Sequence, residues 1–247
     1  MIHSLIGFQL PSKISIIKKQ PQRIPCFDNR IGKIVYNGQR FTSFMGNNLF
    51  GLQRFSDPLP NKAIQQRLEI DYKMLPVSAN ERIVVLLESP HKTEYLAETK
   101  THILGPAMGA SGDRFNSQCI KVFNNNLSTV QTALGICASA NIPKIYDVYF
   151  VNAIQYQCSL GETKIKTELR DFIFESLWNS KGDSFKKDLI QRLNLLKPRL
   201  IINACTSELK KTCCNQTTIT SGLNGFTYSF LTASSHISAW NKNTSIS

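Results

Sequence analysis

The stretch VVLLESPHKTEY runs from Val84 to Tyr95, with four apolar residues leading straight into Glu88 and a proline and His91 following at once. A short, continuous apolar run bounded by a turn signal is the pattern of a strand buried on both faces. Such a strand delivers a carboxylate to its own carboxyl end, and an imidazole follows it.

Three further segments share this character. With RIVVLLE (82–88) they are YDVYFVN (146–152), PRLIINA (198–204) and FTYSFLT (226–232). Helical patterns lie between them at 116–139, 166–178, 184–196 and 206–214. Apolar strands alternating with helices imply an α/β fold, a three-layer α/β/α sandwich around a four-stranded, mostly parallel central sheet. Ligands of such sheets gather outside the carboxyl ends of the strands. Glu88 ends the first strand, Asn152 ends the second, and His236 sits just beyond the fourth, so three chemically useful side chains are expected on one rim.

Residues 81–247 form this expected domain, and residues 1–80 read as a basic N-terminal extension. Within the extension KIVYNGQRFTSF suggests two short strands joined at Asn37-Gly38, and NKAIQQRLEIDYKML a helix capped by Asn61. The chain carries 29 Lys and Arg against 17 Asp and Glu, a net charge of +12, and the first 80 residues hold +7 of it, with 11 bases against 4 acids. An excess of that size favours a polyanionic partner, with nucleic acid ahead of an anionic membrane because no basic amphipathic helix stands out.

At 247 residues, 42% of them hydrophobic, the chain is long enough for a sizeable core. No apolar run approaches the length of a membrane span. The opening MIHSLIGFQLPSKISIIKK places its bases after its apolar residues, the reverse of a secretory signal. Seven cysteines with no CxxC spacing fit reduced thiols in a cytoplasm better than a disulfide framework.

Five segments fall in order over about residues 82–240: LESPHKTE (87–94), PAMGASG (106–112), VYFVNAI (148–154), LLKPRLII (195–202) and SSHISAW (234–240). Together they resemble the uracil-DNA glycosylase superfamily. LESPHKTE (87–94) resembles its first motif, and PAMGASG (106–112) its P-F-V-G-R-A-G loop in the thermostable branch. VYFVNAI (148–154) resembles the strand ending in the base-reading asparagine, LLKPRLII (195–202) a helix-to-strand segment, and SSHISAW (234–240) the final H-P-S motif. The resemblance implies an enzyme that extrudes a nucleotide from DNA, encloses its base and hydrolyses the N-glycosidic bond, leaving an abasic site. Glu88 would then position or activate water and stabilise the cation-like sugar. His236 would donate a hydrogen bond to the departing base, and Asn152, with a donor and an acceptor, would read its polar edge. Neither metal nor organic cofactor is needed for that hydrolysis.

The base pocket implied is Ser89, Pro90, His91, Ala107 and Met108, with Phe115 or Tyr156 as the stacking ring. Gly109, Ser111 and Gly112 with Ser238 would approach the DNA backbone, and Trp240 or Ile237 would act as the wedge that fills the vacated stack. Several positions depart from the family pattern. The paired cysteines of its iron–sulfur branch are absent. Ala107 stands where a phenylalanine is usual, His91 where tyrosine or glycine faces carbon 5 of the pyrimidine, and Ile237 where the last motif has proline. A smaller Ala107 beside His91 suits a C5-modified pyrimidine, from phage DNA for example, as well as uracil. The setting is then repair or host defence, and the expected protein is a cytoplasmic monomer. A non-catalytic nucleic-acid-binding relative of the same fold is the alternative, and a nucleoside hydrolase a third reading. Lys92 is the nearest candidate for a Schiff-base nucleophile.

Overall fold

The run beginning at Glu81 does form a strand, and everything else is arranged around it. The structure is a computed structural model and describes residues 26, 28–46, 80–90, 94, 106–107, 109–137, 142–155, 158, 167–179, 184–205, 215–225 and 227–247. Its elements in chain order are β1 (Asn29–Tyr36), β2 (Phe41–Gly46), β3 (Glu81–Leu87), α1 (Ala110–Asn125), α2 (Leu127–Leu134), β4 (Lys144–Asn152), α3 (Thr167–Trp178), α4 (Ser184–Leu196), β5 (Leu200–Asn203), α5 (Asn215–Gly222) and β6 (Ser229–Thr232). A 3-10 turn, Ile237–Ala239, follows β6.

The fold is α/β, but the sheet is not the four-stranded one expected. It has six strands in the order β2-β1-β4-β3-β5-β6 and is mixed. The four anticipated strands are mutually parallel. The two additional ones come from the segment assigned to an extension: β1 pairs antiparallel with β4, and β2 antiparallel with β1. The boundary at residue 80 therefore does not separate this hairpin from the sheet. Sequence pattern identified the hairpin itself, and its turn is held by Asn37, whose side chain accepts from the N–H groups of Gln39 and Arg40. Gly38, at φ 98°, takes the left-handed conformation such a turn requires.

Alternation along the strands divides the core in two. Ile83, Val85 and Leu87 of β3, with Val148 and Phe150 of β4, meet α1 and α2 through Phe115, Cys119, Val122 and Val130. Val84, Leu86, Tyr149 and Val151 turn the other way, onto Phe174 and Trp178 of α3, Leu189 and Leu193 of α4 and Ile219 of α5. Helices thus cover both faces, and each fully buried Leu or Phe contributes about 1.5–3 kcal/mol.

The single helix expected over 116–139 is instead α1 and α2. Asn126 separates them: its amide donates to Val122 O at 2.8 Å and to Thr244 O at 2.9 Å, using side-chain hydrogen bonds at the break. Gly135 ends α2 at φ 65°, where Ile136 N donates to Gln131 O and Gly135 N to Thr132 O. The helix expected over 206–214 and the one capped by Asn61 lie outside the described residues. No described helix is long and apolar enough to cross a membrane.

Sheet order locates the site. From β3 the chain goes out to β4 on one side, then crosses to β5 on the other. In α/β sheets ligands gather at such a reversal, here the carboxyl ends of β3 and its two neighbours.

Candidate functional site

At this reversal the exits of β3 and β4 are tied together beyond the ladder. Leu87 lies opposite Asn152. Past that pair, Ala153 N donates to Leu87 O at 2.7 Å and Ile154 N to Glu88 O at 2.9 Å. Glu88 and Pro90 are buried and Ser89 is half-buried. The backbone of Glu88 is therefore hydrogen-bonded to the turn that follows Asn152.

Asn152 is wholly buried, and neither its Oδ1 nor its Nδ2 has a hydrogen-bond partner among the described residues. Strand alternation puts it on the same face as Phe150 and Leu87, the face covered by α1. Leaving a buried polar group unsatisfied costs about 1–3 kcal/mol. Folded proteins leave few such groups unsatisfied, and a ligand edge with one donor and one acceptor would match this one.

His236 follows β6 on the same rim. Its Nδ1 accepts from Ser238 N at 3.2 Å and lies 2.9 Å from Ser238 Oγ. A nitrogen that accepts from a backbone N–H carries no proton, so the neutral ring is the Nε2–H tautomer, a hydrogen-bond donor at its far edge. The loop that carries it is held tightly. Trp240 Nε1 donates to Ser235 O at 3.1 Å, and its ring packs 5.3 Å from that of Phe115. Residues 244–247 run back alongside: Ser234 N donates to Ser245 O, and Thr232 and Ser247 exchange a pair of bonds. Asn126 joins this strip to the helices, its Oδ1 accepting from Ile246 N.

These contacts correct three expectations. Trp240 and Ile237 are wholly buried and belong to the core, so neither is presented as a wedge. Phe115 is equally buried, edge-on to Phe44 and Phe150, and its ring faces are taken by core packing rather than offered to a base. The rings of Phe44, Phe150 and Trp240 all pack on Phe115, and Trp240 ties this cluster to the segment that carries His236.

The 106–112 loop arrives from the other side. Pro106 and Ala107 are buried, and Ala107 holds φ 54°, a left-handed conformation uncommon for a residue with a Cβ. Gly109 caps α1 through its carbonyl, which accepts from Gly112 N at 2.9 Å and Asp113 N at 3.2 Å. Ser111 is half-buried in that first turn and Gly112 buried. Ser238 is exposed. His91, Lys92, Met108 and Tyr156 lie outside the described residues.

Two features of the rim were not anticipated. Asn203, ending β5, is buried like Asn152, but its Nδ2 donates to Thr220 Oγ1 at 3.1 Å and its Oδ1 accepts from Cys205 N at 3.1 Å. Beneath the β4 exit lies a buried ion pair, Arg192 Nη1 to Asp28 Oδ2 at 2.6 Å. Arg192 also donates to Asn152 O, Ala153 O and Asp188 Oδ2, and Asp28 accepts from Gln155 Nε2 at 3.2 Å. The signal was present in SFKKDLIQRLNLL, where Arg192 falls within the apolar stripe of Phe185, Leu189, Leu193 and Leu196. A base on such a stripe needs a buried acid. Nearby, the Cys26 thiol donates to Glu94 Oε2 at 3.7 Å, and burial, followed by the charges of Glu94 and Asp28, pushes its pKa well above the usual thiol value. Among the described residues no three His, Cys, Asp or Glu side chains are grouped to hold a metal ion.

No protein-family model, curated protein or solved structure matches the chain.

Proposed function

We propose that the protein is a DNA glycosylase that flips out a pyrimidine, uracil or a C5-modified base, and hydrolyses its N-glycosidic bond to leave an abasic site. The observation that carries this reading is the buried carboxamide of Asn152, which lacks partners among the described residues. An imide or amidine edge of a pyrimidine offers the adjacent donor and acceptor that such a group needs. A base can reach a buried site at the end of a strand only after leaving the helical stack.

Three further features support it. The backbone carbonyl of Glu88 is tied to the turn after Asn152, and its carboxylate would act on the sugar from that strand exit. The Nε2–H tautomer of His236 offers a donor without adding a full positive charge. The net charge of +12 suits a polyanion. In the proposed reaction the bond from sugar carbon 1′ to the base nitrogen breaks, and its electron pair leaves with the base. His236 would stabilise that negative charge and Glu88 the cation-like sugar, and a water oriented by Glu88 would form the new bond to carbon 1′ while giving up a proton to that carboxylate. The four parallel strands with helices on both faces support an α/β/α sandwich, and on this reading the protein would be a cytoplasmic relative of the uracil-DNA glycosylase superfamily acting in repair or defence against phage.

The test is incubation with duplexes containing uracil, hypoxanthine or hydroxymethylcytosine, followed by alkali, with mass spectrometry of released bases. Strand breaks at one pyrimidine, lost in Glu88→Gln and Asn152→Ala while DNA binding persists, are expected. Binding without breaks on every duplex would replace the enzyme with a non-catalytic base sensor.

A further inference from the structure

The turn that leaves β4 is gripped from two sides. Its N–H groups, from Ala153 and Ile154, go to the carbonyls of Leu87 and Glu88. Its carbonyls, from Asn152 and Ala153, accept from Arg192 Nη2 at 3.1 and 3.3 Å. Arg192 is itself held at three nitrogens. Besides Nη2, its Nη1 meets Asp28 at 2.6 Å and its Nε meets Asp188 at 2.8 Å. Asp28 reaches the same turn again through Gln155, whose own carbonyl accepts from Cys26 N at 2.7 Å. Two segments far apart in sequence, residues 26–28 and α4, therefore close on one turn through a planar guanidinium.

We infer that Arg192 and Asp28 are positioning residues for the proposed base-reading Asn152. The inference rests on the glycosylase reading for its catalytic consequence, but not for its geometry. The carboxamide has no partner of its own among the described residues, so its orientation depends on the backbone that carries it. That backbone is fixed at its carbonyl by the guanidinium and at the next two N–H groups by β3. Lysine cannot reproduce the grip, because a fork that spans two carbonyls and two carboxylates becomes a single rotating ammonium.

The experiment uses the full chain with Arg192→Lys, Asp28→Asn and the apolar double variant Asp28→Leu/Arg192→Met. The double variant guards against simple misfolding, since replacing both members of a buried pair is often neutral where removing one is not. Two readouts are taken: the side-chain amide resonance of Asn152, assigned by its loss in Asn152→Asp, and single-turnover base release. Positioning predicts that the resonance moves or broadens in all three variants. It also predicts that kcat falls, by roughly a hundredfold for a misplacement near 1 Å, with KM for DNA unchanged. A resonance that stays in place in the folded variants overturns the inference, as does a lowered melting temperature with unaltered kcat. If the unmodified protein releases no base from any DNA, the glycosylase reading fails, and the resonance alone decides the positioning role.

Discussion

Asn152 and Asn203 end the two strands that flank β3, both wholly buried, yet they face opposite sides of the sheet and opposite fates. Asn203 turns toward α5 and has both ends of its carboxamide satisfied, while Asn152 turns toward α1 and has neither satisfied among the described residues. One asparagine is part of the framework. The other has no such framework role among the described contacts.

Substitution by leucine separates them. Asn203→Leu strands the N–H of Cys205 and should cost about 1–3 kcal/mol. Asn152→Leu removes an unmet amide and should leave stability unchanged or raise it, while abolishing base release. Urea melts of both variants beside the activity assay check this, and equal destabilisation would show that Asn152 is structural.

Trp240 offers a second contrast. A wedge residue would affect DNA opening and leave the fold alone. A buried ring packed on Phe115 and bonded to Ser235 should behave as core, so Trp240→Ala should cost about 3–5 kcal/mol. Trp240→Phe keeps most of the ring and loses only the hydrogen bond, and its melting temperature should fall much less. Calorimetry on the pair distinguishes the two roles.

How far these roles were legible in the sequence depended on the kind of pattern each leaves. Strand and helix periods placed β3 through β6 and α3 and α4 closely, because a buried parallel strand needs a continuous apolar run. The partnership of β1 with β4 was not legible, since antiparallel pairing across more than a hundred residues leaves no local period. The Asn126 break was missed because asparagine inside a helical pattern looks like any polar surface residue until its partners at Thr244 and Ile246 are known. At the site, residue types at strand ends pointed to Glu88, Asn152 and His236. Which aromatic rings are core and which are free is a packing fact, and sequence misassigned Phe115 and Trp240 for that reason.

The hairpin should prove indispensable. A chain beginning at residue 81 would lack Asp28, leave Arg192 Nη1 without its buried carboxylate while only the partly exposed Asp188 remains on Nε, and open the β4 edge to water. Losing one partner of a buried pair alone costs about 3–5 kcal/mol. Expression of residues 81–247 is expected to give aggregated or molten protein by near-ultraviolet circular dichroism, where the full chain gives a sharp spectrum. A milder version is Gly32→Ala, whose new methyl would strike Met45 O across the hairpin.

Alkaline pH should weaken the fold. Burial raises the thiol of Cys119 from 9.0 to about 12, and burial is likewise the main cause raising Cys26, Tyr146 and Tyr149. The folded state keeps Cys119 protonated while the unfolded chain ionises near pH 9. The stability it contributes is therefore complete below pH 9 and is lost as pH climbs toward 12, at about 1.4 kcal/mol per pH unit. Urea midpoints at pH 8, 9.5 and 10.5 should fall in that order, and the Cys119→Ala variant should fall less steeply.

The Asp28–Arg192 contact joins positions 164 residues apart. Loop closure over such a span is slow, and it cannot begin before α4 has left the ribosome. Most of the sheet can assemble earlier, since β1, β2, β3 and β4 are already in hand. Maturation of the rim should therefore lag behind collapse, leaving a newly made chain compact for a time before the β4 turn takes its final shape.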